Sequence, residues 1–192
     1  KSIMNLRFDY NNMMTDAVGD KGICPCVFDK NAEAIKKAHK SVMDNRGKGW
    51  QEWCDLPFVK DDYLDEMISY CGEIGKKAES FVLFGIGGSA LGPLAVASSL
   101  LHLHHNELSA AKRKAPKFYV EDNVDPERMQ ALLDVIDLKT AYFNVVTKSG
   151  ETSETLSQFL IVYDLLKKAL GKEEAKKHIV VTTSDGKGTL FN

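Results

Sequence analysis

Two short runs of glycine and hydroxyl residues stand where a hydrophobic strand pattern gives way to a helical pattern. The first is Gly-Ile-Gly-Gly-Ser at residues 85–89, and the second is Thr-Lys-Ser-Gly-Glu-Thr at residues 147–152. The backbone N–H groups at a helix N-terminus lack partners, and the aligned peptide dipoles favour an anion there. Glycine lets a ligand approach the main chain, and hydroxyl groups add hydrogen-bond donors. The two runs together predict a phosphate-binding site.

The first run also satisfies a dinucleotide-binding pattern, Gly-x-Gly-x-x-Ala, which keeps a nicotinamide or flavin enzyme open. That pattern expects an acidic residue about 20 positions further on, to hold the ribose. The acidic pair Glu121 and Asp122 lies further away than that, at the end of the next predicted strand. The phosphate-loop pattern of nucleotide hydrolases fails, because no Gly-Lys-Ser or Gly-Lys-Thr follows the glycines.

The second run favours a phosphate monoester over a dinucleotide. A compact phosphate group needs several donors that converge from one loop, and Thr147, Ser149 and Thr152 supply them around one helix start. The alternative interpretation is that Ser149 or Thr152 simply caps the helix, as such residues do at many helix starts. Lys148 either neutralises the charge of the anion or is solvated.

Alternating short apolar runs and longer helical patterns must position both turns. Asp125 and Pro126 form a helix start in which the aspartate caps and the proline takes the first position. The alternation predicts an α/β fold, a Rossmann-like three-layer sandwich with a parallel sheet, right-handed crossovers and helices on both faces. Ligands bind at the carboxyl ends of such strands, so the two turns share one edge of the sheet. The predicted strands are 81–84, 118–120, 141–146 and 179–181, and the principal helices are 90–104, 125–136 and 151–170.

The first third of the chain shows weaker patterns. Residues 1–30 are predicted to be irregular, and a short helix capped by Asn31 follows and stops near Gly47. An aromatic connector from Trp50 to Phe58 is expected to pack into a core. A helix from Asp61 to about Ala78 comes next, with an inner face that includes Leu64, Met67, Ile68, Cys71 and Ile74. We therefore divide the chain into an N-terminal extension, residues 1–45, and one domain, residues 46–192.

Composition excludes several classes of function. The 192 residues are 44% hydrophobic with a formal net charge of -2, which allows a substantial core and gives no basic surface for nucleic acid. The apolar runs are too short to span a bilayer, and no signal-peptide pattern is visible, so we predict no membrane partner and a cytoplasmic location.

The cysteines and histidines predict no metal site. Four cysteines, at positions 24, 26, 54 and 71, lack the paired spacing of a zinc site and are expected to be reduced thiols. His102, His104 and His105 fall at the predicted C-terminal end of a helix, where a cation is favourable, and they have no matching acidic or thiol partner. His39 and His178 have no motif around them. We predict neither a metal nor an organic cofactor.

The two turns, taken together, resemble the paired signatures of the glucose-6-phosphate isomerase family. The resemblance adds Leu-Gly-Pro at residues 91–93 to the first turn, and Thr152 and Glu154 to the second. Trp53 and the Leu-Pro pair at residues 56–57 resemble the bacterial branch. The similarity covers roughly residues 45–192 and implies a sugar isomerase (SIS) fold. It also implies that this chain is the N-terminal part of a longer protein with two such domains.

The family reaction interconverts glucose 6-phosphate and fructose 6-phosphate, in glycolysis and gluconeogenesis, without a metal or organic cofactor. The resemblance implies a sugar phosphate substrate and a homodimer when the protein is intact. It implies that Thr147, Ser149 and Thr152 bind the phosphate with help from the backbone around Lys148, and that Gly88 and Ser89 contact the sugar. Ala90 stands where many relatives have an acidic residue. Glu154 matches a glutamate near the family's active site, or acts as a first-turn partner of the helix dipole.

Catalysis in this family needs a carboxylate base, a histidine, a lysine and an arginine, which come mainly from a later region of the protein. We identify no catalytic residue here and expect this chain alone to bind sugar phosphate weakly and to turn over nothing. Two alternatives remain. The first is a non-catalytic sugar-phosphate-sensing SIS regulator, and the second is an NAD-dependent oxidoreductase.

Overall fold

The computed structural model describes residues 7–186 and 188–190. The chain divides into two compact units between Leu64 and Asp65. The sequence places a domain boundary near residue 45, and that division remains a prediction about domains.

The first unit consists of short helices. They are α1 (Thr15–Val18), α2 (Cys26–Lys30) and α3 (Ala32–Asp44), followed by a 3₁₀ helix (Gly49–Phe58) and the start of α4 (Asp61–Lys77). Helix α3 confirms the predicted short helix. Asn31 does not cap it, because its side-chain amide donates instead to the carbonyl of Val27 at 2.8 Å and closes α2.

The aromatic connector lies at the surface of the first unit. Trp50 is 89% exposed and Trp53 is 67% exposed, and Leu56 and Phe58 are similarly open. The expectation that these side chains pack into a core is therefore wrong for this unit. Side chains three positions apart align in a 3₁₀ helix, so Trp50, Trp53 and Leu56 form one exposed apolar ridge.

The cysteines differ from one another. Cys24 and Cys26 form a disulfide across Pro25, with Cα atoms 5.2 Å apart, a separation that disulfides commonly bridge. Cys54 and Cys71 are free. The expectation of reduced thiols is wrong for the first pair, because the turn at Pro25 brings the two sulfur atoms together.

The second unit is built on a four-stranded parallel sheet. Its strands are β1 (Ser80–Phe84), β2 (Lys117–Glu121), β3 (Ala141–Val146) and β4 (Ile179–Thr182), in the order β2-β1-β3-β4. At the carboxyl end, Phe84 of β1 lies opposite Glu121 on one side and Val145 on the other. The predicted strands and the α/β class are confirmed.

Helices connect these strands. They are α5 (Gly88–Leu100), α6 (Ala110–Arg113), α7 (Pro126–Val135), α8 (Ser153–Leu170) and α9 (Lys172–Lys177). Asp125 caps α7 as predicted, since its carboxylate accepts from the N–H groups of Glu127 and Arg128 at 2.9 and 3.1 Å. Helix α5 ends about four residues earlier than predicted, where Leu101 turns to extended backbone. The short helices α6 and α9 were not predicted.

Side chains cover both faces of the sheet. On one face Val82, Phe84, Phe143 and Val145 pack with residues from α7 and α8 in a buried cluster. On the other face Phe81 and Phe118 lie beside Ile74 of α4 and Leu101. This arrangement agrees with the predicted three-layer sandwich. The helical spacing of α8 predicts Leu160 on the buried side of the helix, but Leu160 is 60% exposed, so that prediction is wrong.

Candidate phosphate-binding site

The two candidate turns follow neighbouring strands. The glycine turn, residues 85–89, follows β1 after Phe84. The hydroxyl turn, residues 147–152, follows β3 after Val146, and β1 and β3 are paired in the sheet. The chain moves from β1 outward to β2 and then returns to the opposite side of β1. The site therefore stands where the strand order reverses, which is where open α/β sheets bind ligands.

The glycine turn exposes backbone N–H groups. Gly87 precedes α5 with φ of 55°, a conformation that glycine adopts without strain. The Ala90 and Leu91 N–H groups donate to the Gly87 carbonyl at 3.0 and 2.9 Å. The N–H groups of Gly87 and Gly88 have no hydrogen-bond acceptor among the described residues, and both glycines are exposed. They are available to a ligand.

Gly85 holds the glycine turn close to the sheet. Its N–H donates to the Glu121 carbonyl at 3.3 Å and extends the pairing of β1 with β2. A Cβ atom at this position would lie 2.9 Å from the Cβ of Ser89 and 3.2 Å from the Ser89 backbone. Glycine at 85 therefore allows Ser89 to sit directly over the end of β1.

The hydroxyl turn contains a network of oxygen atoms. Thr147 is 1% exposed, and its Oγ1 lies 2.6 Å from Oγ1 of Thr152 and 3.4 Å from Oγ of Ser149. Ser149 Oγ accepts from the Glu151 N–H at 3.1 Å. Neither Ser149 nor Thr152 caps α8 through its side chain. The interpretation that these residues only cap the helix is therefore wrong.

The start of α8 remains open to an anion. The first of its N–H groups to donate to a carbonyl is that of Leu156, which bonds Thr152 at 2.9 Å. The N–H groups of Ser153, Glu154 and Thr155 have no acceptor within the described part of the chain. Because α8 is 18 residues long, its dipole adds a favourable field at this end.

The backbone of the hydroxyl turn is fixed from the β4 side. Thr147 donates its N–H to the Thr182 carbonyl at 3.0 Å, and the Ser184 N–H donates to the Lys148 carbonyl at 3.4 Å. Gly150 is buried, has φ of 72°, and donates to the Thr147 carbonyl at 3.3 Å. Lys148 and Ser149 are exposed above this support.

The structure thus places Gly88 and Ser89 at one turn and Thr147, Lys148, Ser149 and Thr152 at the other, on adjacent strands. Glu154 lies in the exposed first turn of α8, where its carboxylate accepts from the Ser153 hydroxyl at 3.1 Å. The ligand roles of these residues remain predictions.

Two residues near the site were missed from the sequence. Thr155 is fully buried on α8, and its hydroxyl has no hydrogen-bond partner among the described residues. Gly188 has φ of 79° and packs against Ser149 and Gly150. The Asp-Gly-x-Gly pattern at residues 185–188 is a turn signal that identifies this segment, although nothing in the pattern shows which surface it contacts.

The acidic residue that a dinucleotide requires is already engaged. Glu121 is 8% exposed at the end of β2, and its carboxylate lies 3.3 Å from Arg128 Nε. Burial raises the pKa of Glu121, while the nearby Arg128 charge opposes the shift. Arg128 also donates to Asp122 at 2.9 Å, and that hydrogen bond raises the pKa of the guanidinium. The pair stabilises the junction of β2 and α7.

The histidines of the second unit lie away from this edge of the sheet. His104 Nδ1 is 2.9 Å from Glu107, and His105 Nε2 is 3.0 Å from the Pro116 carbonyl, beside a cavity of about 330 Å³. His178 is buried, bonds the Ala141 carbonyl through Nδ1 at 2.8 Å and stacks on Tyr142. In residues 7–186 and 188–190, no three His, Cys, Asp or Glu side chains are grouped to hold a metal.

Within the part of the chain that the structure describes, no helix has the length and apolar character needed to cross a membrane.

Comparison with known proteins supports a specific family. The Phosphoglucose isomerase family model matches residues 61–190. A glucose-6-phosphate isomerase from Carboxydothermus hydrogenoformans is 43% identical over 187 residues, which is 97% of this chain and 40% of that protein. One from Bacillus thuringiensis is 36% identical over 162 residues, 82% of this chain and 36% of that protein.

A solved structure extends the similarity to the fold. A hypothetical protein from Thermus thermophilus matches with a TM-score of 0.71 and 32% identity, over 87% of this chain and 37% of that one. The chain spans about two fifths of the length of the relatives it matches.

Proposed function

Because the chain belongs to the phosphoglucose isomerase family, we propose that it is the sugar-phosphate-binding N-terminal part of a glucose-6-phosphate isomerase. The whole protein would interconvert glucose 6-phosphate and fructose 6-phosphate. Its relatives carry that enzyme name, and this chain covers about 40% of the first of them.

One observation carries the proposal. Two anion-type turns from strands about sixty residues apart lie side by side at the reversal point of the sheet. The first offers unpaired N–H groups, and the second offers the hydroxyls of Ser149 and Thr152, with the buried Thr147 hydroxyl beneath them, at an open helix start. A phosphate group with several acceptor oxygens matches donors that converge in this way.

The roles of the residues follow from their positions. The phosphate would lie over the start of α8, where N–H groups of Ser153 and Glu154 and the hydroxyls of Ser149 and Thr152 donate to its oxygens. Gly88 and Ser89 would then face the sugar. Proton transfer between C1 and C2 requires an acid or base within hydrogen-bond reach of those carbons. We identify no such group in this chain, so it would bind and orient the substrate without converting it.

A titration of the 192-residue chain, observed by amide-resolved NMR, tests this proposal. The ligand is 6-phosphogluconate, and the controls are NAD and sulfate. We expect Gly87, Gly88, Ser89, Ser149 and Thr152 to shift together with the sugar phosphate and to remain in place with NAD. A response of the glycine turn alone, and to NAD, would overturn the proposal in favour of the oxidoreductase.

An activity assay separates the two remaining interpretations of the site. The chain alone should show no isomerase activity, whereas a complete polypeptide that contains a second SIS domain should show it. A complete polypeptide that binds sugar phosphate without isomerase activity would support the sensor. A homodimeric, cytoplasmic enzyme is part of the same proposal, and sedimentation of the complete protein tests the dimer.

A further inference from the structure

In the segment after β4, Ser184 and Gly188 contact the hydroxyl turn. The Ser184 N–H donates to the Lys148 carbonyl at 3.4 Å, and Leu190 packs against the main hydrophobic cluster. Between these two attachments, Gly188 lies against the peptide that joins Ser149 to Gly150. The segment therefore touches the turn at its backbone.

The contact at Gly188 leaves no room for a side chain. A Cβ atom there would collide with the carbonyl oxygen of Ser149, and it would lie 2.7 Å from the Cα of Gly150. Real Cβ atoms do not approach backbone atoms so closely, so one of the two segments would have to move. Gly188 also has φ of 79°, which side chains rarely adopt.

This contact fixes which way one peptide group faces. In a trans peptide the carbonyl and the N–H point in opposite directions. The Ser149 carbonyl lies against Gly188, and the Gly150 N–H donates to the Thr147 carbonyl at 3.3 Å on the other side. Rotation of this peptide would break the Gly150 hydrogen bond and turn the Ser149 carbonyl oxygen toward the Thr147 carbonyl oxygen, which repels it.

We infer that Gly188 is a positioning residue for the phosphate turn: it holds the Ser149–Gly150 peptide in the orientation that presents Ser149 and Thr152 to an anion. The inference rests on the proposed function for its consequence in binding, and on the contact geometry for the orientation itself. Gly188 need not touch the ligand.

A matched control lies two residues away. Gly186 has φ of 67°, so alanine at either position carries a similar backbone strain. A Cβ atom at Gly186 meets nothing within 4 Å, whereas one at Gly188 meets the turn. The difference between Gly188→Ala and Gly186→Ala therefore isolates the contact from the strain.

The first readout needs no ligand. In spectra of the free 192-residue chain, Gly188→Ala should shift the amide signals of Ser149, Gly150 and Glu151 and speed the hydrogen exchange of Gly150. Gly186→Ala should leave these signals near their wild-type positions. Equal spectra for the two variants around residues 147–152 would overturn the inference.

The second readout is affinity for glucose 6-phosphate and for inorganic phosphate, measured by titration. We expect Gly188→Ala to weaken both by about tenfold and Gly186→Ala by less than twofold, at matched thermal stability. Equal affinities would overturn the inference. If the wild-type chain binds neither probe, the proposed function of the chain fails. The spectra of the ligand-free variants still decide whether Gly188 fixes the orientation of the Ser149–Gly150 peptide.

A milder variant covers the case in which Gly188→Ala does not fold. Leu190→Ala loosens the attachment of the segment to the hydrophobic cluster and adds no atom near the turn. We expect the affinity for glucose 6-phosphate to fall about threefold, with smaller shifts of the same amides. Unchanged affinity together with unchanged amide signals would count against the inference.

Discussion

The hydroxyl oxygens of Thr147 and Thr152 lie 2.6 Å apart across the turn between β3 and α8. Thr147 is almost completely buried, while Thr152 is half-buried. Each hydroxyl has one proton, so one of the two oxygens donates and the other accepts. When Thr147 donates, the Thr152 proton is left for another acceptor, which under the proposed function is a phosphate oxygen.

Replacement of Thr152 by valine keeps the shape and removes this partner. We expect Thr152→Val to lower the free energy of unfolding by about 1 kcal/mol, because the buried Thr147 hydroxyl loses its partner at 2.6 Å and keeps only Ser149 Oγ at 3.4 Å. Affinity for 6-phosphogluconate should fall about tenfold, which corresponds to the loss of one good donor. Thermal denaturation and titration measure the two effects. Thr140→Val, at the opposite end of β3, is the matched control, and an equal loss of affinity there would contradict the assignment.

Gly85 and Gly92 should respond to alanine in opposite directions. Gly85→Ala places a Cβ atom 2.9 Å from Ser89, so it should destabilise the fold and displace the first turn of α5. Gly92 lies within α5, and a Cβ atom there meets nothing within 4 Å. We expect Gly92→Ala to raise the free energy of unfolding by about 0.5–1 kcal/mol. Urea denaturation of both variants tests this, and a neutral Gly85→Ala would show that the turn tolerates the displacement.

The Glu121–Arg128 pair predicts a pH-dependent stability. Burial raises the pKa of Glu121, and Arg128→Ala removes the charge that opposes the shift, so the pKa rises further. A raised pKa means that the folded state holds the proton more tightly than the unfolded chain does. Protonation of Glu121 therefore stabilises the folded state at low pH, and this stabilisation is lost as the pH rises through the raised pKa.

We thus expect Arg128→Ala to cost about 1 kcal/mol at pH 7, because solvent screens the half-exposed guanidinium, and less at pH 4. Denaturant titrations at the two pH values measure the difference. In a Glu121→Gln background the effect of Arg128→Ala should lose most of its pH dependence. An unchanged pH dependence in that background would assign the effect to other groups.

The buried side chain of Arg113 hydrogen-bonds three other residues, and its removal should destabilise the fold. Its side chain is 2% exposed and donates to the carbonyls of Leu108 and Ala115 at 2.6 and 2.7 Å, and to Glu79 at 3.1 Å. Arg113→Met leaves the two carbonyl acceptors without this partner, while Glu79 keeps Lys117 at 3.8 Å, and it should lower the free energy of unfolding by about 2–3 kcal/mol. Lys168→Met, which breaks an exposed pair with Asp164, is the control and should change stability little. Similar losses in both would contradict this account.

Much of the sheet was predictable because its signals are local. The apolar runs that become β1 and β3 end in glycine or hydroxyl residues, and each is followed by a helical pattern. The cap at Asp125 was equally visible, since side-chain capping and proline at the first position depend on adjacent residues. The two turns could therefore be assigned to one edge of the sheet from the sequence.

Features that depend on distant contacts were not predictable in this way. The pairing of β1 with β3 rather than with β4 is set by packing across the sheet. The contact of Gly188 with Ser149 depends in turn on the pairing of β3 with β4. Trp50 and Trp53 were assigned to a core because large aromatic side chains are usually buried, but the 3₁₀ geometry directs them outward. Residue type and spacing in the sequence do not show which strands pair or whether an aromatic side chain is buried or exposed.

The strand order also has a consequence during synthesis. Strand β2 is available to pair with one side of β1 soon after both emerge, but β3 follows β1 by about sixty residues. At a typical elongation rate the second side of β1 waits about 3–12 s for its partner. During that interval it presents unpaired backbone groups beside Val82 and Phe84, and such an exposed strand edge favours association with other chains. Slow codons between β1 and β3 would lengthen this exposure.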